Sequence, residues 1–234
     1  MEYNKNKILK MLVNAPLYEG MDFHEGMNDE FLNAIAMDFD FYNNYNYAHG
    51  ATKLALIPIN KNEKYVIKIP YTGSYDHESG YYYNSIYINS KTNYWDYTAA
   101  DNHTSCWDYC ATEVERYETA KNAGFARFFA KTEFLDYINN YPIYIQEKCI
   151  TLSNSSGSHH HSKEERETTL NICKNYFNIN KDWLTDFRLC YGTNTLLNFL
   201  NFIQDMEWDD DLRNENIGYI DNHPVLIDYS GFLE

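Results

Sequence analysis

Three residues near the end of the sequence have types and spacing suited to chemistry. Asp211 and Asn216 stand five positions apart in the run Asp211-Leu212-Arg213-Asn214-Glu215-Asn216, and Asp228 follows twelve positions later. A loop can turn Asp211 and Asn216 toward one point. A short hairpin around Asp221-Asn222-His223-Pro224 can return Asp228 to the same place. Hard oxygen ligands of this kind, completed by substrate phosphates, suit Mg2+, which keeps several waters of its own. One carboxylate then remains to accept a proton from a hydroxyl.

Other clusters of reactive side chains read more plainly. His159-His160-His161 sits among Ser, Asn and Gly, the composition of a solvated connector rather than of a metal site. Cys106-x3-Cys110 has no second Cys or His pair to complete a zinc set. Asp209 and Asp210 could add charge at a metal but read more plainly as a solvated turn. The Tyr81-Tyr82-Tyr83 run fits a partner-binding patch or a covering layer equally well.

The elements that must position these residues follow from periodicity. Residues 5–13 read as a short helix, and Asp29 to Asp38 as a second, with Asn28 as cap and Phe31, Leu32, Ile35 and Ala36 on one face. Phe41 to Tyr47 has no clear period. Lys53 to Ile59 and Lys64 to Ile69 form a hairpin around Asn60-Lys61-Asn62-Glu63, closed by Pro70. Residues 71–105 read as a long inserted loop with one strand at Tyr81 to Ile88. A helix over 108–123 puts Cys110, Glu113, Tyr117 and Ala120 on one face, with Gly124 on its C-cap side. Strands at Lys131 to Ile138 and Ile143 to Cys149 make a second hairpin. The polar run Thr151 to Ser162 marks a boundary. Beyond it Ser162 and Glu165 make a capping box that opens a helix to Tyr176. Helices at Lys181 to Cys190 and Thr193 to Met206 follow. A last hairpin, Ile217 to Ile220 and Val225 to Asp228, carries the residues with which this section began.

Composition excludes several classes. The 234 residues carry 19 basic and 34 acidic side chains, a net charge of −15. Such a surface repels phosphate backbones and anionic membranes, so neither nucleic acid nor a membrane is expected as a partner. No apolar run approaches the roughly 20 residues that span a bilayer. No signal peptide is visible, and five irregularly spaced Cys suit reduced thiols, so a cytoplasmic protein is expected.

In the order of its motifs the chain resembles the protein-kinase-like superfamily. Asp211 through Asn216 is similar to the catalytic loop, and Leu226-Ile227-Asp228-Tyr229-Ser230-Gly231 to the Asp-Phe-Gly segment. Tyr65-Val66-Ile67-Lys68-Ile69 resembles the Val-Ala-Ile-Lys strand. Ile143-Tyr144-Ile145-Gln146-Glu147-Lys148-Cys149 resembles the strand entering the hinge that binds adenine through main-chain groups. The resemblance implies a two-lobed α+β fold. Residues 1–150 would be a mostly antiparallel β lobe with an insertion at 71–107, residues 151–162 a connector, and residues 163–234 a minimal helical lobe.

It implies ATP and Mg2+ as cofactors. Asp211 would be the catalytic base and Asn216 and Asp228 the metal ligands. Lys68 would hold the α- and β-phosphates, and Arg213 would lie near the γ-phosphate. A helix Glu would pair with Lys68: Glu113, with Glu118 as the alternative. Gln146, Glu147 and Lys148 would meet the nucleotide. The activity implied is phosphotransfer to an unknown protein or small-molecule acceptor. A pseudokinase-like binding module and transfer of AMP are the alternatives.

Several departures bear on that choice. The His-Arg before the catalytic Asp is replaced by Asp209-Asp210, the Gly-rich loop is reduced to His49-Gly50-Ala51-Thr52, and Ser230 replaces the motif Gly. The sequence runs only six residues past Asp228, without the activation segment that binds a peptide acceptor. The Asn- and Tyr-rich composition and compact layout resemble phage or mobile-element proteins, which would place the chain in a bacterial host with a host protein as target.

Overall fold

A computed structural model describes residues 3–13, 22–23, 44–49, 53–70, 72–76, 81–85, 88–89, 94–95, 108–138, 141–152, 161–174, 179–209 and 212–230. The helix expected over Asp29 to Asp38 lies outside them, as do Gly50-Ala51-Thr52, Cys106 and Asp211. The fold is α+β, with five α-helices and antiparallel sheets among the described residues. None of those helices is long and apolar enough to cross a membrane. The chain divides into two compact units, Met1–Val114 with Thr132–Lys148, and Glu115–Lys131 with Cys149–Glu234.

The first unit is built on a five-stranded antiparallel sheet. It comprises β2 (Tyr45–His49), β3 (Lys53–Pro58), β4 (Tyr65–Pro70), β10 (Tyr141–Glu147) and β9 (Thr132–Ile138), in that spatial order. Register decides what each face carries. Leu54 opposes Ile69, Leu56 opposes Ile67, and Ile67 opposes Ile145, so these five apolar side chains share one face and are buried. Tyr3, just before helix α1 (Lys5–Val13), sets its ring edge-on against Tyr65 on the same face. The alternate residues Lys68, Tyr144, Gln146 and Thr132 line the other face.

The strand at β2 was not expected from sequence. Its neighbours Asn46 and Ala48 are exposed while Tyr45 is buried, so its one-sided alternation is written in small and polar residues. The segment read as a long loop is also more regular. It holds β5 (Thr72–Asp76) and β6 (Tyr81–Ser85), paired in a sheet with β1 (Asp22–Phe23), and a pair β7 (Ile88–Asn89) and β8 (Tyr94–Trp95). Tyr and Thr favour strands without any apolar periodicity to announce them.

Helix α2 (Tyr109–Asn122) begins in the first unit and ends in the second. The second unit adds α3 (Lys163–Ile172), α4 (Lys181–Tyr191), α5 (Thr193–Asp205) and a sheet of β11 (Ile150–Thr151), β12 (Ile217–Ile220) and β13 (His223–Leu226). The capping box at Ser162 and Glu165 forms with both reciprocal hydrogen bonds. The core is aromatic. Phe187 stacks on Phe199 at 5.0 Å, Phe128 meets both rings, and Trp183 is fully buried with its indole N–H donating to the Gly218 carbonyl at 3.2 Å.

Two readings of the connector change. Thr151, the first residue of the connector, is not loop but pairs, together with Ile150, as a strand beside β12. His161 is not solvated. Its side chain is 8% exposed, with Nε2 3.0 Å from Asp186 Oδ1, while the Tyr219 hydroxyl donates to the other Asp186 oxygen. His159 and His160 lie outside the described residues.

Candidate functional site

In the first unit the chemistry centres on one carboxylate. Glu113 is fully buried, and a carboxylate in that position must be paired and hydrogen-bonded. Lys68 Nζ donates to both of its oxygens at 2.8 Å. Thr132 Oγ1 donates to Oε2 at 3.1 Å, and Gln146 Nε2 donates to Thr132 Oγ1 at 2.8 Å. Lys53 Nζ donates to Oε1 at 2.5 Å. The alternative helix acid, Glu118, is exposed and holds Lys121 at 2.7 Å instead.

The position of Glu113 is set at the helix start. Asp108 caps α2, its Oδ1 accepting from the Ala111 amide at 2.9 Å, and its Oδ2 accepts from the Tyr144 hydroxyl. Tyr144 lies directly opposite Lys68 in the sheet. The cap therefore ties the first turn of α2 to the strand beside the lysine, and Glu113 follows on the helix face that also carries Cys110. Burial pushes the Asp108 carboxyl above the ordinary Asp value, although the bonds from Tyr144 and Ala111 oppose it. Burial likewise pushes the Cys110 thiol well up, so the cysteine three residues before Glu113 is an inert packing group. We expect Asp108→Ala to cost about 1–3 kcal/mol, through the lost cap and the stranded Tyr144 hydroxyl. Urea unfolding followed by circular dichroism checks this.

The hinge-like strand runs directly beside the carboxylate cluster. Gln146 turns its side chain into the carboxylate cluster, and its residue position is flanked by Val66 and Thr132 on the two neighbouring strands. Glu147 lies opposite Tyr65 and is partly buried. Lys148 donates its amide to the Lys64 carbonyl at 3.0 Å and its ammonium to the Pro58 carbonyl, and burial lowers its pKa.

In the second unit the last hairpin brings two expected residues close in the chain's own ladder. The β12–β13 register pairs Ile217 with Leu226, and the Ile227 amide continues it by donating to the Asn216 carbonyl at 2.7 Å. Asn216 therefore neighbours the residue immediately before Asp228. Both side chains are half-buried, and Ser230 Oγ donates to Asp228 Oδ1 at 3.2 Å.

The residue after Asp228 is held firmly. The Tyr229 hydroxyl donates to the Ala130 carbonyl at 2.7 Å, its ring meets Phe129 edge-on, and its own carbonyl accepts from Arg116 at 2.8 Å. Arg116 also lies over the Trp208 ring, 4.9 Å from its centroid. Arg213 is exposed, with buried Leu212 anchoring the chain beside it. Asp211 lies outside the described residues.

Asn216 and Asp228 supply oxygen ligands of the hard type, and two of these with waters and phosphates fit Mg2+. No group of three or more His, Cys, Asp or Glu that could hold a metal ion gathers among the described residues. Sequence reasoning missed Lys53, Thr132 and Gln146 as partners of Glu113. One signal could have found Lys53: the hairpin turn at 60–63 places it opposite Pro70, hence on the face of Lys68. No family model matches the chain, and no curated protein or solved structure matches it.

Proposed function

We propose that the chain is an ATP-binding, protein-kinase-like phosphotransferase that works with Mg2+. The observation that carries this reading is the buried pair of Lys68 and Glu113, both Lys68 contacts at 2.8 Å. A lysine held by a helix carboxylate on an antiparallel sheet is a fixed point of positive charge, which suits the α- and β-phosphates of a nucleotide. The two-lobed arrangement belongs to the same reading, as do the roles of Asp211, Arg213, Asn216 and Asp228.

In this mechanism Glu113 keeps the Lys68 ammonium in place, so no side-chain ordering is needed when phosphate arrives. Asn216 and Asp228 would hold Mg2+, which when bound neutralises and aligns the phosphate oxygens. Asp211 accepts the proton of the acceptor hydroxyl. That oxygen forms a bond to the γ-phosphorus as the bond to the β–γ bridging oxygen breaks, and ADP leaves. Tyr229, pinned by Ala130 and Arg116, limits the freedom of Asp228 next to it.

Purified full-length protein with Mg-ATP tests the proposal. ATP at 100 times its Kd should stabilise the fold by about 2.7 kcal/mol, and Lys68→Ala and Asp228→Ala should abolish that gain. Labelled γ-phosphate should appear on acceptors or on the chain itself, and Asp211→Ala should remove it. Mass analysis separates added phosphate from added AMP. Nucleotide binding without any transfer would replace the enzyme reading by a pseudokinase-like binding module. Absence of both melting shift and transfer would overturn the nucleotide site.

A further inference from the structure

Lys53 shares the carboxylate of Glu113 with Lys68, and its position is not accidental. The two lysines lie on neighbouring strands as diagonal neighbours on one face, because Lys53 opposes Pro70 and Lys68 stands two residues before it. Their side chains are each 6% exposed. Both ammonium groups touch Oε1, at 2.5 and 2.8 Å, so they stand about 5 Å apart or less. Glu113 does not need the second lysine. Lys68 takes both its oxygens and Thr132 donates to one of them, which occupies most of what a carboxylate can accept. Burying a further ammonium beside the first costs desolvation and like-charge repulsion. A polyanion spanning both ammonium groups turns that repulsion into attraction.

We propose that Lys53 is a second phosphate ligand, and that Lys53 and Lys68 together clamp a polyphosphate, with Glu113 orienting both. This rests on the nucleotide reading above for the identity of the ligand, though not for the clamp itself. The chemistry recognised is a chain of linked phosphates, whether carried by ATP or free as tripolyphosphate.

Calorimetric titration of the full chain with Mg-ATP, adenosine and tripolyphosphate tests it. Lys53→Met should weaken ATP and tripolyphosphate by about 10- to 100-fold, while adenosine binding stays unchanged and Lys53→Arg recovers part of the loss. Wild-type affinity of Lys53→Met for ATP and tripolyphosphate, with Lys68→Met impaired, would overturn the clamp and leave the nucleotide reading standing. Tripolyphosphate bound through both lysines without any ATP binding would do the reverse. No binding of either would overturn both.

A second measurement needs no variant. An acyl-phosphate derivative of ATP acylates lysines near its terminal phosphate: the neutral amine attacks the acyl carbon, an amide forms, and the acyl–oxygen bond breaks to release ATP and the amine proton. Peptide mass analysis should find the label on Lys53 as well as Lys68. Label on Lys68 alone would overturn the clamp.

Discussion

Glu113→Ala should destabilise the protein by about 3–5 kcal/mol, the cost of stripping the partner from buried charge. The effect is large because the carboxylate serves Lys53, Lys68 and Thr132 at once, and all four residues are buried. Removing it leaves two ammonium groups in a low-dielectric space with their shared counter-charge gone. Urea unfolding should show a lower midpoint with an unchanged slope, since the surface exposed on unfolding barely alters. The origin of the loss is separable. Adding Lys53→Met and Lys68→Met to Glu113→Ala removes the stranded charges and should restore much of the stability, a strongly non-additive result. A loss below 1 kcal/mol for Glu113→Ala alone would show that water reaches the cluster and that the ion pairs hold nothing together.

Gly218→Ala is the second substitution with a large expected effect, about 1–3 kcal/mol or more. A Cβ at this position would lie 2.4 Å from Ile227 Cδ1 and 2.5 Å from the Ile150 carbonyl oxygen. The side chain of Ile227 can rotate away, but the backbone of β11 cannot move without leaving β12. Ile227→Ala should therefore rescue Gly218→Ala only in part. Amide exchange should rise at Ile150 and Thr151, and the Trp183 indole should lose its bond to the Gly218 carbonyl, visible as faster indole exchange. The disturbance reaches further, because the Ile227 amide is what holds the Asn216 carbonyl and so sets Asn216 beside the approach to Asp228. Unchanged exchange along β11 would mean that the close approach of these strands is not structural.

Local chemistry was legible wherever the chain's own neighbours decide it. The hairpin around 60–63, the capping box at Ser162 and Glu165, the helices over 5–13, 181–191 and 193–205, and the final hairpin all follow from spacing along the sequence. Helical period favours Glu113 and leaves Glu118 as the alternative; burial and the contacts of Lys68 separate the two. Strands whose partners are distant were harder. β2 is built from Tyr, Asn, Ala and His and is a strand only because β3 lies beside it. β11 is two residues long and exists only against β12. The paired strands between 72 and 95 carry no apolar alternation.

The sequence by itself determined the types of chemical groups, their order, and the helical period that puts Glu113 on one face with Cys110, Tyr117 and Ala120. Tertiary structure alone decided that Lys53, Thr132 and Gln146 converge on the same carboxylate, because that depends on strand register across residues far apart in the chain. It also decided that His161, written among solvated residues, is buried against Asp186. The reason is common to both. A buried charge is stable only where donors from several strands or helices meet it, and no single stretch of sequence contains that meeting.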